Sequence, residues 1–302
     1  MNIPDSKSRL SEPLLPAGQT SVNRRAALRA RLARILSASP AGKTEPADQR
    51  PTHFTFGVDA LDQALRGHGG QPGMPCAALH EIHGAGRDDL TSAAAMSLLL
   101  AERCRDADKV PDRPVLWVSE SAEARRQGRL YPPGLAELGV DPAHIIHVEA
   151  ADSIAALRAA AEGTRSPAMA AVIIALSGRK PRGLNLTATR RLSLSARESG
   201  VLTLLLRSGS DKDDPMPSAA WSRWQVAAAP SAPLAANAPG HPAFDISLLR
   251  HRSGLYGLNA RLEWNREHRI FRALPAGQDT PDTGAVPALP VVRADHPAAQ
   301  VA

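Results

Sequence analysis

The chain has 302 residues, 43% of them hydrophobic, and a formal net charge of +6 at pH 7. That is enough for one sizeable α/β core. No stretch approaches the roughly 18 apolar residues a membrane span needs, and the first residues lack a signal-peptide core, so a cytoplasmic protein is expected. Of the 36 Lys and Arg, 31 are arginine, and a guanidinium surface either grips phosphate or carboxylate or is merely solvated.

Residues 1–22 read as disordered. Asn23 caps a basic helix over 23–36, with Leu28, Leu32, Ile35 and Leu36 on one face and Arg24, Arg25, Arg29, Arg31 and Arg34 around the others. Such a helix either docks on a neighbour or folds back on its own domain. A Pro/Ala/Gly/Ser linker covers 37–51, and the core domain is expected over 52–229. Within it, strands near 76–82, 115–119, 144–148, 171–176 and 201–206 alternate with helices near 90–106, 121–129, 152–163 and 187–199. This alternation means βαβ crossovers and a mostly parallel sheet flanked by helices. Trp221 to Val226 opens one more strand, and 230–243 reads as a flexible Ala/Pro-rich connection. Residues 244–274 alternate like antiparallel strands, and 275–302 read as a disordered tail. Cys76 and Cys104 have no pairing or metal-ligand spacing and read as buried thiols in a reducing compartment, so no metal site is expected.

The segment Glu81-Ile82-His83-Gly84-Ala85-Gly86-Arg87-Asp88-Asp89-Leu90-Thr91-Ser92 is a strand-to-helix turn where a phosphate-binding loop would sit. In the loop template, Gly, four residues, then Gly-Lys-Ser/Thr, backbone N–H groups cradle the phosphates, the lysine reaches the β- and γ-phosphates, and the hydroxyl holds magnesium. Laid over this chain, Gly84 takes the first glycine position, Asp89 the second, Leu90 the lysine and Thr91 the hydroxyl. Asp89 would present a negative charge to a triphosphate, and Leu90 supplies no cation to offset it. Taken alone, a Gly84-x-Gly86 turn before a helix is equally compatible with plain structure.

The flanks add order to the motif. Phe54-Thr55-Phe56-Gly57-Val58-Asp59 and the glycine-rich Gly67 to Gly73 precede it. Pro114 to Val118 leads into Ser119-Glu120, and Leu138-Gly139-Val140-Asp141 stands before His144 to Val148. This order resembles the RecA-type ATPase core, in which Glu120 would stand at the water-activating glutamate. Ala175, after Ala171 to Ile174, would stand at the magnesium-ligating aspartate. With the degraded loop, a basic N-terminal helix and a basic β-rich C-terminus, the chain resembles the ImuA family over about residues 50 to 275. The resemblance implies a non-catalytic, cofactor-free RecA-like accessory protein of SOS-induced, error-prone translesion DNA synthesis. It would partner an inactive Y-family polymerase homologue of the ImuB type and an error-prone replicative-type polymerase, with RecA and DNA as further candidates. An active DNA-dependent ATPase and a SulA-like cell-division inhibitor stay open beside it.

Two basic regions are candidate contacts. Segment 177–207 holds Arg179, Lys180, Arg182, Arg190, Arg191, Arg197 and Arg207 against the single acid Glu198. It corresponds in order to the first DNA-binding loop of recombinases and the helix after it, so weak, sequence-independent DNA binding is expected there, or else a solvated helix face. Near the C-terminus, Arg261, Trp264, Arg269 and Phe271 combine arginine with aromatics, the usual chemistry of a protein-binding hot spot, and are the candidates for the polymerase homologue. The other reading of that set is core aromatics with solvated arginines.

Overall fold

The computed structural model describes residues 52–66, 70–107, 112–178, 180–208, 216–234, 238 and 240–274. The expected N-terminal helix, its linker, the C-terminal tail, Arg179 and residues 209–215 lie outside those residues.

In chain order the elements are β1 (His53–Phe54), α1 (Asp59–Ala64), β2 (Met74–Pro75), β3 (Leu79–Gly84), α2 (Leu90–Ala107), β4 (Val115–Glu120), α3 (Ser121–Gln127), α4 (Pro132–Glu137) and a 3-10 turn at Pro142–His144. They continue with β5 (Ile145–Ala150), α5 (Ser153–Arg165), β6 (Ala171–Ser177), α6 (Leu186–Ser199), β7 (Leu202–Ser208), β8 (Ser222–Ala229), β9 (Ala243–His251), β10 (Asn259–Asn265) and β11 (Ile270–Leu274). β1 and β2 form a small antiparallel ribbon. The other nine strands form one sheet in the order β11-β10-β9-β8-β3-β7-β6-β4-β5. From β8 to β5 every pair is parallel, and from β8 outward to β11 every pair is antiparallel.

The parallel strands are apolar almost throughout because helices cover both faces. In β6, Ala171 to Leu176 are all buried. Alternate residues then serve alternate layers. Ile82, Trp117, Ile173, Leu204 and Trp224 pack with Leu99 and Met96 of α2, whereas Leu79, Val118, Val172 and Leu205 pack with Ala156 and Ala160 of α5 and Leu192 of α6. Local signals set the helix ends. Asp152 and Asn185 accept from Ala155 N and Ala188 N at 2.8 and 2.9 Å, and Gly200 closes α6 with φ 76°. Upstream, buried Asp62 accepts from the N–H groups of Phe56, Gly57 and Val58 at 2.8, 3.0 and 3.1 Å, which folds the Phe56-Gly57-Val58 turn onto α1.

The C-terminal strands continue the core sheet rather than forming a separate segment. Phe56 packs against Trp224 and Phe271, and Trp264 against Phe271 at 4.8 Å between ring centres. Trp264 Nε1 donates to Leu138 O at 2.8 Å. The connection expected at 230–243 falls between β8 and β9, and its last residue, Ala243, is a strand residue paired with Ala229. No helix among the described residues is long and apolar enough to cross a membrane.

Candidate functional site at the strand ends

Parallel α/β sheets offer ligands the crevice beyond the carboxyl ends of their strands, and the degenerate loop lies there. Gly84 ends β3, the turn runs through Asp89, and Leu90 opens α2. A Cβ on Gly84 would meet Gly86 O at 2.8 Å and Leu90 N at 3.2 Å, so the turn is closed on its own backbone. Asp89 was expected to point its charge at a phosphate. Instead its Oδ2 accepts from Gly86 N and its Oδ1 from Ala228 N, both at 2.9 Å. The carboxylate thus occupies an N–H that a phosphate would need, and ties the turn to β8 by satisfying backbone donors of both. Ala85 N donates to Val226 O at 2.8 Å and reinforces the same seam.

Beside the turn is a cavity of about 180 Å³ between α2 and the ends of β4, β5, β6 and β7. Leu90, Thr91 and Ala94 of α2 wall one side, and Ala175 and Leu206 stand on the strand side with Trp117 and Ser119. Glu123, Ala124, Gly128, Arg129, Leu130, His147 and Leu176 complete the lining. Ser119 Oγ and His147 Nε2 share a hydrogen bond of 2.9 Å, and burial pushes the His147 imidazole below its usual range against the opposing pull of Glu149. Arg129 is held by Glu149, with Nε donating at 2.5 Å and Nη2 at 3.1 Å. Glu120, the expected vestigial glutamate, accepts from Ser177 N at 3.1 Å and clasps the ends of β4 and β6. The structure therefore brings Leu90, Thr91 and Ala175 to one cavity and keeps Asp89 and Glu120 in backbone contacts.

On the opposite face of the sheet, on β3, β7 and β8, lies a charged cluster that the sequence reading missed. Glu81 is 0% exposed and its Oε2 accepts from Arg223 Nε at 2.6 Å. His83 Nε2 is 3.6 Å from that same oxygen, and Arg207, 2% exposed, lies on this face of β7. Burial pushes the Glu81 carboxyl up, but His83 and Arg223 more than offset it and hold it at about 2. Burial lowers His83 as well, with Glu81 opposing. Arg223 Nη2 also donates to Met216 O at 3.0 Å, pinning the segment that enters β8. Charges set inside otherwise apolar strands, as in Leu79-His80-Glu81-Ile82-His83 and Leu202 to Arg207, were the available signal.

Of the basic candidates, Lys180, Arg182, Arg190, Arg191 and Arg197 are exposed at or near α6. Arg207, counted with them from the sequence, is buried instead. At the C-terminus Trp264 and Phe271 are each 0% exposed, which corrects their expectation as partner contacts: they fill the gap between the sheet, Phe56 and Leu138. Arg261 pairs with Asp245 across the strands at 2.8 and 2.9 Å. Arg269 sits at φ 52° in the β10–β11 turn and pairs with Glu102 and Asp106 of α2. Among the described residues no group of three or more His, Cys, Asp or Glu is arranged to hold a metal ion.

Fold and site define the chain as an α/β protein with one large, mostly parallel sheet and a strand-to-helix turn bonded to itself. Sequence then aligns it with ImuA, and the resemblance read from its motifs is borne out. The chain is 29% identical over 212 residues to Protein ImuA of Caulobacter vibrioides strain NA1000 / CB15N, covering 68% of this chain and 80% of that protein. The same figures hold for Protein ImuA of strain ATCC 19089 / CIP 103742 / CB 15. No family model matches. Among solved structures, the RadB recombinase superposes with a TM-score of 0.47 and 15% identity, covering 74% of this chain and all of that one.

Proposed function

We propose that the chain is a non-catalytic accessory protein of SOS-induced, error-prone translesion synthesis, a RecA-like scaffold that has given up ATP. The observation that carries this reading is the pair of apolar side chains, Leu90 and Ala175, lining the cavity beside a turn whose Gly86 N–H is already bonded to Asp89. Phosphoryl transfer is almost wholly positioning and electrostatic stabilisation. Losing one well-placed donor from a site of this kind costs roughly 3 kcal/mol of barrier, and here both the lysine and the magnesium carboxylate are replaced.

The partners are an inactive Y-family polymerase homologue of the ImuB type and an error-prone replicative-type polymerase. Arg261 and Arg269 stay candidates for the first contact, now without the buried aromatics. Lys180, Arg182, Arg190, Arg191 and Arg197, with Arg179 beyond the described residues, offer a weak, sequence-independent DNA surface that supports a role at a replication fork. The test is ATP binding and turnover by the purified chain, with and without single-stranded DNA, beside a RecA control, followed by capture of the purified polymerase homologue. Neither binding that depends on the phosphates nor turnover is expected, and DNA-stimulated hydrolysis would overturn the reading.

A further inference from the structure

The cavity beside the closed turn has a composition that suits a ligand quite unlike a nucleoside triphosphate. Leu90, Ala94, Ala175 and Leu206 are apolar walls, Trp117 adds an aromatic one, and Ser119 joined to His147 is the polar edge. A cavity of about 150 Å³ with aliphatic and aromatic walls is known to accept a benzene-sized ring, and this one is about 180 Å³. Its charged neighbours do not favour an anion: Glu123 is in the lining, Arg129 is held by Glu149, and the Gly86 N–H is taken by Asp89. Ligand pockets combine mostly apolar walls with a few placed polar groups that fix orientation, and that is the arrangement here.

We propose that this cavity binds an uncharged planar heteroaromatic ring of nucleobase size, seated against Trp117 with its hydrogen-bonding edge toward Ser119 and His147. The ring would occupy space left by the replaced charges, so the site is a base pocket without a phosphate subsite. Its source is either a free nucleoside or a base of single-stranded DNA. The inference does not depend on the polymerase partners, so its failure would leave the proposed accessory role standing.

The experiment uses the full chain with benzimidazole, adenosine and ATP as probes, read by saturation-transfer NMR and by thermal denaturation. Both rings are expected to receive saturation and raise the melting temperature, with ATP binding no tighter than adenosine. Ala175→Leu, whose added side chain fills the cavity, is expected to weaken ring binding by about tenfold or more while melting at the same or a higher temperature. Ala94→Leu fills it from α2 and serves as the second variant should the first fail to fold. Ser119→Ala is expected to weaken adenosine more than an apolar ring of the same size. A fluorescent thymidine oligonucleotide distinguishes the sources: Ala175→Leu weakens its binding if the base comes from DNA and leaves it unchanged if the ligand is a free nucleoside. Absence of saturation transfer to either ring, undiminished binding by the filled variants, or ATP bound about tenfold tighter than adenosine would overturn the proposal.

Discussion

On one face of β3, β7 and β8, Glu81 and Arg223 form an ion pair almost out of reach of water, with His83 and Arg207 beside it. On the other face of the sheet, near the ends of β4 to β7, Leu90, Ala175 and Leu206 wall a largely apolar cavity. The contrast teaches that charge in this core is spent on the chain itself. Glu81 is matched by Arg223, and Asp89 by backbone N–H groups of the turn and of β8. Neither arrangement leaves a charge aimed at a ligand.

Breaking the charged face should have the largest effect. Arg223→Ala removes the shortest contact of the buried Glu81 carboxylate and leaves it to His83 and Arg207, which costs up to about 3–5 kcal/mol. Urea unfolding should show it, and the double variant Glu81→Leu/Arg223→Met should recover only part of the loss, because buried Arg207 then loses the opposing charge of Glu81. A single variant as stable as the parent would mean the pair is not buried as described.

Acid should erode the same core. Burial lowers His80 from 6.5 to about 4 and lowers His83 too. The His80 imidazole stays neutral in the folded chain down to about pH 4, and burial biases His83 the same way, while their unfolded counterparts take up protons below about pH 6.5. The unfolded state then binds more protons, so stability is full above that pH and falls as the pH drops toward 4. For His80 the gap corresponds to a loss on the order of 3 kcal/mol. Glu81, depressed to about 2, extends the decline below its unfolded value near 4.5. Urea midpoints that stay constant from pH 7 to pH 4 would contradict this.

On the cavity side the expected effects are smaller. Asp89→Ala removes two exposed hydrogen bonds from the turn and should cost about 1 kcal/mol without creating ATP binding. Asp89→Gly with Leu90→Lys should still not hydrolyse ATP, because Ala175 leaves magnesium without its carboxylate. Turnover by that pair, measured as phosphate release, would show that other groups are the missing ones.

Much of the parallel core could be read from periodicity and punctuation. The helix expected at 90–106 is α2 at Leu90–Ala107, and the strand expected at 171–176 is β6 at Ala171–Ser177, because a long apolar period or a short apolar run between turn residues is a local signal. The C-terminal strands were legible as strands but not as core. Trp264 finds its acceptor on Leu138, 126 residues away in the chain, and no local pattern states that partner. The same limit applied to Arg261, whose cross-strand partner Asp245 only the register reveals.

Residue identity in the sequence determined that Leu90 and Ala175 bring no charge to the cavity they line, since a side chain without an ionisable group has none in any fold. Tertiary structure alone decided where the remaining charges point: Asp89 onto Gly86 and Ala228, Glu81 onto Arg223, Arg207 into the interior. The reason is that burial and pairing depend on which distant segments cover a strand face, and local sequence carries no record of that.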